Sequence, residues 1–127
     1  MQRREINAAN APKPAGAYTQ AVEVAGATRT LYMSGQVPAL PDGTVPDDVD
    51  EQCRLAWANI VAQLEAAGMT VANIVKYTTI LPELGTLAAS RKARAAVLGD
   101  HKPASTLIVG GLASTSWKIE VEVIACA

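Results

Sequence analysis

The segment Trp117–Ala125 constrains the fold most. It reads Trp-Lys-Ile-Glu-Val-Glu-Val-Ile-Ala. Side chains alternate across a β-strand, so Ile119, Val121 and Val123 share one face while Lys118, Glu120 and Glu122 share the other. One face must join an apolar core. The opposite face carries two carboxylates about 7 Å apart along the strand. Such a face is often merely solvated. A carboxylate on a rigid strand can also serve as a positioned acid–base group.

The rest of the chain supplies partners for that strand. Residues 5–16 are rich in Ala, Pro and Asn, and Pro12 and Pro14 bar a helix, so an irregular lead-in is expected. Tyr18–Val24 and Arg29–Val37 read as strands. Residues 38–46 hold three prolines and Asp42-Gly43, a loop or hairpin signature. Asp48 is placed to cap a helix, with Glu51 reaching back in a capping box. Val49, Cys53, Ala56, Trp57, Ile60, Val61 and Leu64 then form a helical stripe, and Gly68 stops it. The β-branched run Ile74–Leu81 predicts a strand before Pro82. Leu84–Leu98 predicts a second helix ended by Gly99, and Ser105–Val109 a further strand. The order ββ(β)αβαββ implies a two-layer α+β domain with both helices on one face of a mixed sheet. No internal repeat or linker breaks residues 1–127, so one domain is expected.

Composition narrows the function classes. Half of the residues are hydrophobic, only 4% are aromatic and there is no Phe, so the core must be mostly Ala, Val, Leu and Ile. Charged residues make up 18%, below the usual quarter, which favours subunit contacts. A net charge of −1 gives no broad field to attract nucleic acid or an anionic membrane. Cys53 and Cys126 make no disulfide framework, and Cys53 falls on the apolar stripe as a small buried hydrophobe. One histidine and two distant cysteines have no metal-ligand spacing. The polar start Met-Gln-Arg-Arg-Glu lacks the apolar stretch of a signal peptide, and no apolar run is long enough to span a bilayer. A cytoplasmic setting is the expectation.

Several segments resemble the RidA family, also called YjgF/YER057c/UK114. They are Asn10–Ala21, Leu31–Pro38, Glu51-Gln52, Leu64–Gly68, Asn73–Lys76, His101–Ala104 and Ile119–Glu122, which together cover nearly the whole chain. The resemblance implies a chorismate-mutase-like subunit of a homotrimer, with the sheets forming a central barrel and the helices outside. It implies sites in the clefts between subunits, and hydrolysis of reactive enamines and imines such as 2-aminoacrylate without a metal or organic cofactor. By the same resemblance Glu120 is the proton-handling carboxylate. Tyr18 stands at the cleft, and Ser34 and Gly35 line it through their backbone.

One departure bears on substrate. Members acting on amino-acid-derived imines carry arginine directly after the Pro-Ala pair, where its planar fork grips the substrate carboxylate. This chain has Ser105 there. A charge-assisted bond is worth about 1.5–3 kcal/mol against about 1 for a neutral one, so efficient 2-aminoacrylate turnover is not expected. Two explanations are open. Arg91, where the family commonly has asparagine, supplies the lost charge from the second helix, with Arg94 one turn on and Lys92 pointing elsewhere. Alternatively the ligand has no carboxylate at that spot. Leu107, on the same strand face as Ser105, then lines a more apolar cleft for a neutral or cyclic imine, and Ala17 replaces a usual proline before Tyr18.

The function expected is therefore imine or enamine deamination at intersubunit clefts. The alternative is a non-catalytic trimer that binds a small metabolite. An endoribonuclease or translation-inhibitor role has weaker support. Arg91-Lys92-Arg94 is the only basic cluster, and phosphate binding needs more. A lone His101 also rules out a paired-histidine mechanism within one subunit. It is expected to be a loop residue.

Overall fold

The computed structural model describes residues 1–127. Two helices pack on a mixed sheet, as the sequence predicts. The strands are β1 (Gln2–Ile6), β2 (Ala21–Ala25), β3 (Thr30–Gln36), β4 (Ile74–Leu81), β5 (Ala104–Val109) and β6 (Glu120–Cys126). The helices are α1 (Val49–Ala66) and α2 (Leu87–Leu98). β1 and β2 form an antiparallel ribbon, and the main sheet has the order β3-β6-β4-β5. Only β4 and β5 run parallel, as expected of strands joined across a helix. No helix is long and apolar enough to cross a membrane.

The alternation of the last strand sets the layers. Ile119, Val121, Val123 and Ala125 are fully or almost fully buried. They meet Cys53, Trp57, Ile60 and Leu64 of α1 in one core cluster. Each fully buried Leu, Ile or Val contributes about 1.5–3 kcal/mol. Trp57 packs its ring edge-on against Tyr77 of β4 at 5.5 Å between centroids, an arrangement that aromatic quadrupoles favour.

Four expectations need correction. First, the lead-in expected to be irregular over residues 5–16 begins inside β1, which takes in Glu5 and Ile6; residues 7–16 are irregular as expected. The polar sequence of β1 has no apolar alternation to betray it. Pairing with β2 and the cross-strand ion pair of Arg4 with Glu23 at 3.2 Å hold it instead. Second, β2 begins at Ala21, not Tyr18. The Asn7 side chain accepts the Gln20 N–H at 2.8 Å and bonds the Thr19 hydroxyl, and Thr19 bridges to Ala104. Third, the α1 cap is half a capping box. Asp48 accepts the Glu51 N–H at 2.9 Å, but the Glu51 carboxylate turns to Arg54. That pairing holds the Glu51 carboxyl below its ordinary range.

Fourth, the last strand starts at Glu120 rather than Trp117. The buried Gln52 of α1 explains the delay. Its Oε1 accepts the Lys118 N–H at 2.8 Å, and its Nε2 donates to Pro46 O at 2.7 Å and Ser116 O at 3.0 Å. The backbone before Glu120 is thus bonded to a helix side chain instead of a neighbouring strand. Helix endings follow the sequence more closely. Gly68 (φ +69°) and Gly99 (φ +55°) sit just past the two helices in the left-handed region that glycine tolerates. The predicted second helix opens with a 3-10 turn over Leu84–Thr86.

Candidate active site

Strand register fixes which side chains share a face. Tyr77 pairs with Ser105 and Thr79 with Leu107 across β4 and β5. Tyr77 pairs with Val123 and Thr79 with Val121 across β4 and β6. Paired residues point the same way, so Ser105 and Leu107 face the helices. This confirms that they share a strand face. Between β5 and α2 lies a cleft of about 260 Å³. Tyr18, Arg91, Ser105 and Leu107, four of the residues singled out from the sequence, all line it.

Glu120 lies elsewhere. It pairs with Ile80, one residue out of phase with the Tyr77–Thr79 set, so it projects from the opposite face of the sheet. Gly35 of the neighbouring β3 accompanies it, and Ser34 precedes Gly35 on that strand. A Cβ built on Gly35 would stand 2.7 Å from Glu120 Cδ and 2.9 Å from Cγ. Gly35 has no positive φ, so its reason is close approach, not backbone freedom. The Ser34 carbonyl accepts from Gln36 Nε2 at 2.9 Å. One chain therefore presents the expected residues as two separate groups. The cleft holds Tyr18, Arg91, Ser105 and Leu107, and the open face holds Glu120 over Gly35.

The local chemistry of the cleft can be read from its hydrogen bonds. Tyr18 sits in a turn before β2, where its N–H bonds Gly16 O at 2.9 Å. Its hydroxyl oxygen accepts the Ala15 N–H at 3.2 Å. The phenolic proton is then free to be donated to a ligand. On α2, Arg91 is exposed and Arg94 half-buried, and both line the cleft. Lys92 turns away and lines a separate surface cleft with Asp48, Asp50 and Glu51. His101 bonds Ile74 O through Nε2 at 2.7 Å, which gives this loop residue a structural task.

Sequence reasoning left six cleft residues out of the site: Gln20, Tyr77, Thr79, Leu87, Ser90 and Arg94. Arg94 was visible at the i+3 spacing from Arg91. Ser90 is buried beside it. Tyr77 is 2% exposed and its hydroxyl has no hydrogen-bond partner. Only the register of β4 against β5 reveals that Tyr77 stands next to Ser105.

The model of the family described as Endoribonuclease L-PSP matches residues 8–127. The chain belongs to the RidA family. Among RidA-family relatives, it is 35% identical to the 2-iminobutanoate/2-iminopropanoate deaminase of Escherichia coli K12 over 126 residues, covering 96% of each chain. It is also 35% identical to a RutC family protein of Pyrococcus horikoshii over 118 residues, 91% of each. A solved Rid-family protein of unknown function from Yersinia pestis superposes with a TM-score of 0.84 over the full length of both chains at 30% identity. E. coli TdcF with bound serine superposes at 0.73, with 30% identity and 98% of each chain covered.

Proposed function

We propose that this RidA-family protein deaminates a reactive imine or enamine metabolite without a cofactor, at clefts between the subunits of a homotrimer. The observation that carries the proposal is the division of the site. Tyr18 and the α2–β5 cleft lie on one face of the sheet, and Glu120 projects from the other. A second copy that lays its Glu120 face against the first copy's cleft completes both. Edge strand β5 supports association, because Leu107, Ile108 and Val109 are 43%, 45% and 51% exposed. An apolar edge of this kind invites pairing or cover. Tyr32 on the open face is 77% exposed, as expected of a side chain that a neighbour covers. The relatives named as deaminases of 2-imino acids and of reactive intermediates support the reaction class.

The reaction asks little of the protein. Water adds to the electrophilic C=N carbon, the carbinolamine collapses, the C–N bond breaks, and ammonia leaves a carbonyl product. Glu120 takes a proton from the attacking water and returns it to the departing nitrogen. Tyr18 donates its free phenolic proton to the substrate and orients it. The Ser34-Gly35 backbone borders the carboxylate and leaves it room. Ser105 and Leu107 shape the cleft without a cation on the strand.

Replacement of Ser105's family counterpart by a hydroxyl favours a second reading, a trimer that binds a metabolite but does not turn it over. A nuclease reading finds less support, because Arg91 and Lys92 line different clefts and form no continuous basic track. The test couples ammonia release from freshly generated 2-imino acids and cyclic imines to a dehydrogenase. Wild-type release that falls at least about 100-fold in Glu120→Gln supports the proposal. Binding without release leaves the metabolite-binding trimer. A monomer at micromolar concentration in light scattering ends the divided-site argument.

A further inference from the structure

The α2–β5 cleft has an unusual charge balance. Two guanidinium groups, Arg91 and Arg94, line it, and no acidic residue does. The three ion pairs of the protein are Arg3–Glu5, Arg4–Glu23 and Arg54–Glu51, so neither cleft arginine is neutralised. No hydrogen bond to protein occupies either one. Residues three apart on a helix are neighbours on its surface, so both groups serve one patch. Around them stand hydrogen-bonding groups without a partner in the protein. The Tyr77 hydroxyl is buried and unpartnered, and the Tyr18 proton is uncommitted. A buried polar group left unpaired costs about 1–3 kcal/mol, and a ligand oxygen would relieve it.

We propose that Arg91 and Arg94 form the anion anchor of this cleft and that they select a dianionic ligand, a 2-imino dicarboxylate. The inference rests on the deaminase reading for the imine and on the cleft alone for the dianion. The anchor is on the helix, and the strand contributes no cation. Ser105 offers one neutral hydroxyl, whereas two forked guanidiniums can each take a carboxylate bidentately. A monocarboxylate satisfies one of them and leaves the other uncompensated. Hydrolysis then converts the C=N of the 2-imino dicarboxylate, plus water, into the 2-oxo dicarboxylate and ammonia. The reaction that supplies the substrate is the oxidation or dehydration of an acidic amino acid or its hydroxylated relative.

Product-side ligands test the anchor without turnover. Calorimetric titrations at constant ionic strength would compare 2-oxoglutarate, 2-oxobutyrate and inorganic phosphate. 2-Oxoglutarate is expected to bind at least about tenfold more tightly than 2-oxobutyrate. Arg91→Ala and Arg94→Ala should each remove most of that preference, and Lys92→Ala, whose residue faces the other cleft, should not. Equal affinities, no binding of either 2-oxo acid, phosphate as tight as 2-oxoglutarate, or a preference that survives both arginine variants would overturn the anchor. Circular dichroism of each variant checks that the fold is retained. A dianion preference in a wild-type protein that releases no ammonia keeps the anchor and ends the hydrolase reading. Ammonia release with no dianion preference does the reverse.

Discussion

Gly35→Ala isolates the carboxylate without removing it. The added Cβ would stand 2.7 Å from Glu120 Cδ, 2.9 Å from Cγ and 3.0 Å from Oε2. Carbon atoms rest about 3.5–4.0 Å apart, so the carboxyl must retreat by close to 1 Å or change rotamer. The backbone at Gly35 tolerates alanine, because its φ is not positive. Glycine to alanine in a strand is itself favourable by about 0.5–1 kcal/mol, which offsets a rotamer cost of about 0.5–1.5 kcal/mol. Stability should therefore change by less than about 1 kcal/mol. A misplacement of 1 Å in a reacting group costs on the order of 100-fold in rate. The assay is ammonia release at saturating imine beside a urea melt. An unchanged melt with turnover reduced about 100-fold is expected. Full turnover in Gly35→Ala would refute the placement of Glu120 in the reaction. A collapse in stability would refute the claim that the side chain has room to move.

Three further outcomes test the fold beneath the site. Gln52→Ala deletes one acceptor and the donor to two carbonyls, so about 2–4 kcal/mol should be lost in a urea melt; a loss below 0.5 kcal/mol contradicts its role in pinning residues 116–118. Ile60→Ala in the fully buried stripe should cost about 2–5 kcal/mol, read the same way, and a neutral result would mean that α1 is loosely packed. Burial, helped by nearby Asp50, pushes the Cys53 thiol from its ordinary 9.0 up to about 11. Below pH 9 both folded and unfolded states keep the proton. Between pH 9 and 11 the unfolded chain releases it first, so stability falls as pH rises, by about 2–3 kcal/mol over the window. Cys53→Ala should flatten that part of a stability-against-pH curve relative to wild type, and parallel curves would refute the assignment.

The legible parts of the sequence were those where local pattern and tertiary burial agree. The stripe of α1 and the alternation of Ile119, Val121 and Val123 each meet the core as expected, and Ile74–Leu81 forms a strand with those bounds. Where a partner decides, the pattern misled. β1 is a strand because β2 lies beside it, and Trp117–Ile119 fall outside β6 because Gln52 captures the Lys118 N–H. A glutamine at that spacing looks like any polar helix residue. The cleft was half legible. Tyr18, Arg91, Ser105 and Leu107 were read from family-like positions and converge on one cavity. The unpartnered Tyr77 hydroxyl was invisible, since tyrosine in an apolar run reads as core.

The two faces of the sheet would let substrate preference change while the proposed chemistry persists. Glu120 and Gly35 are fixed by β3 and β6, whereas Ser105, Leu107, Arg91 and Arg94 of the cleft lie on β5 and α2. These two sets lie on opposite faces of the sheet and share no hydrogen bond or ion pair, and sites without shared partners respond to substitution nearly independently. A change at Ser105 is therefore expected to alter binding without disturbing the carboxylate. Arg91 and Arg94 place positive charge in the same cleft from the α2 wall. Two guanidiniums line the cleft from the helix and none from the strand. With the anchor proposed above, such a cleft selects for charge count, because a ligand that brings too little leaves an arginine without compensation.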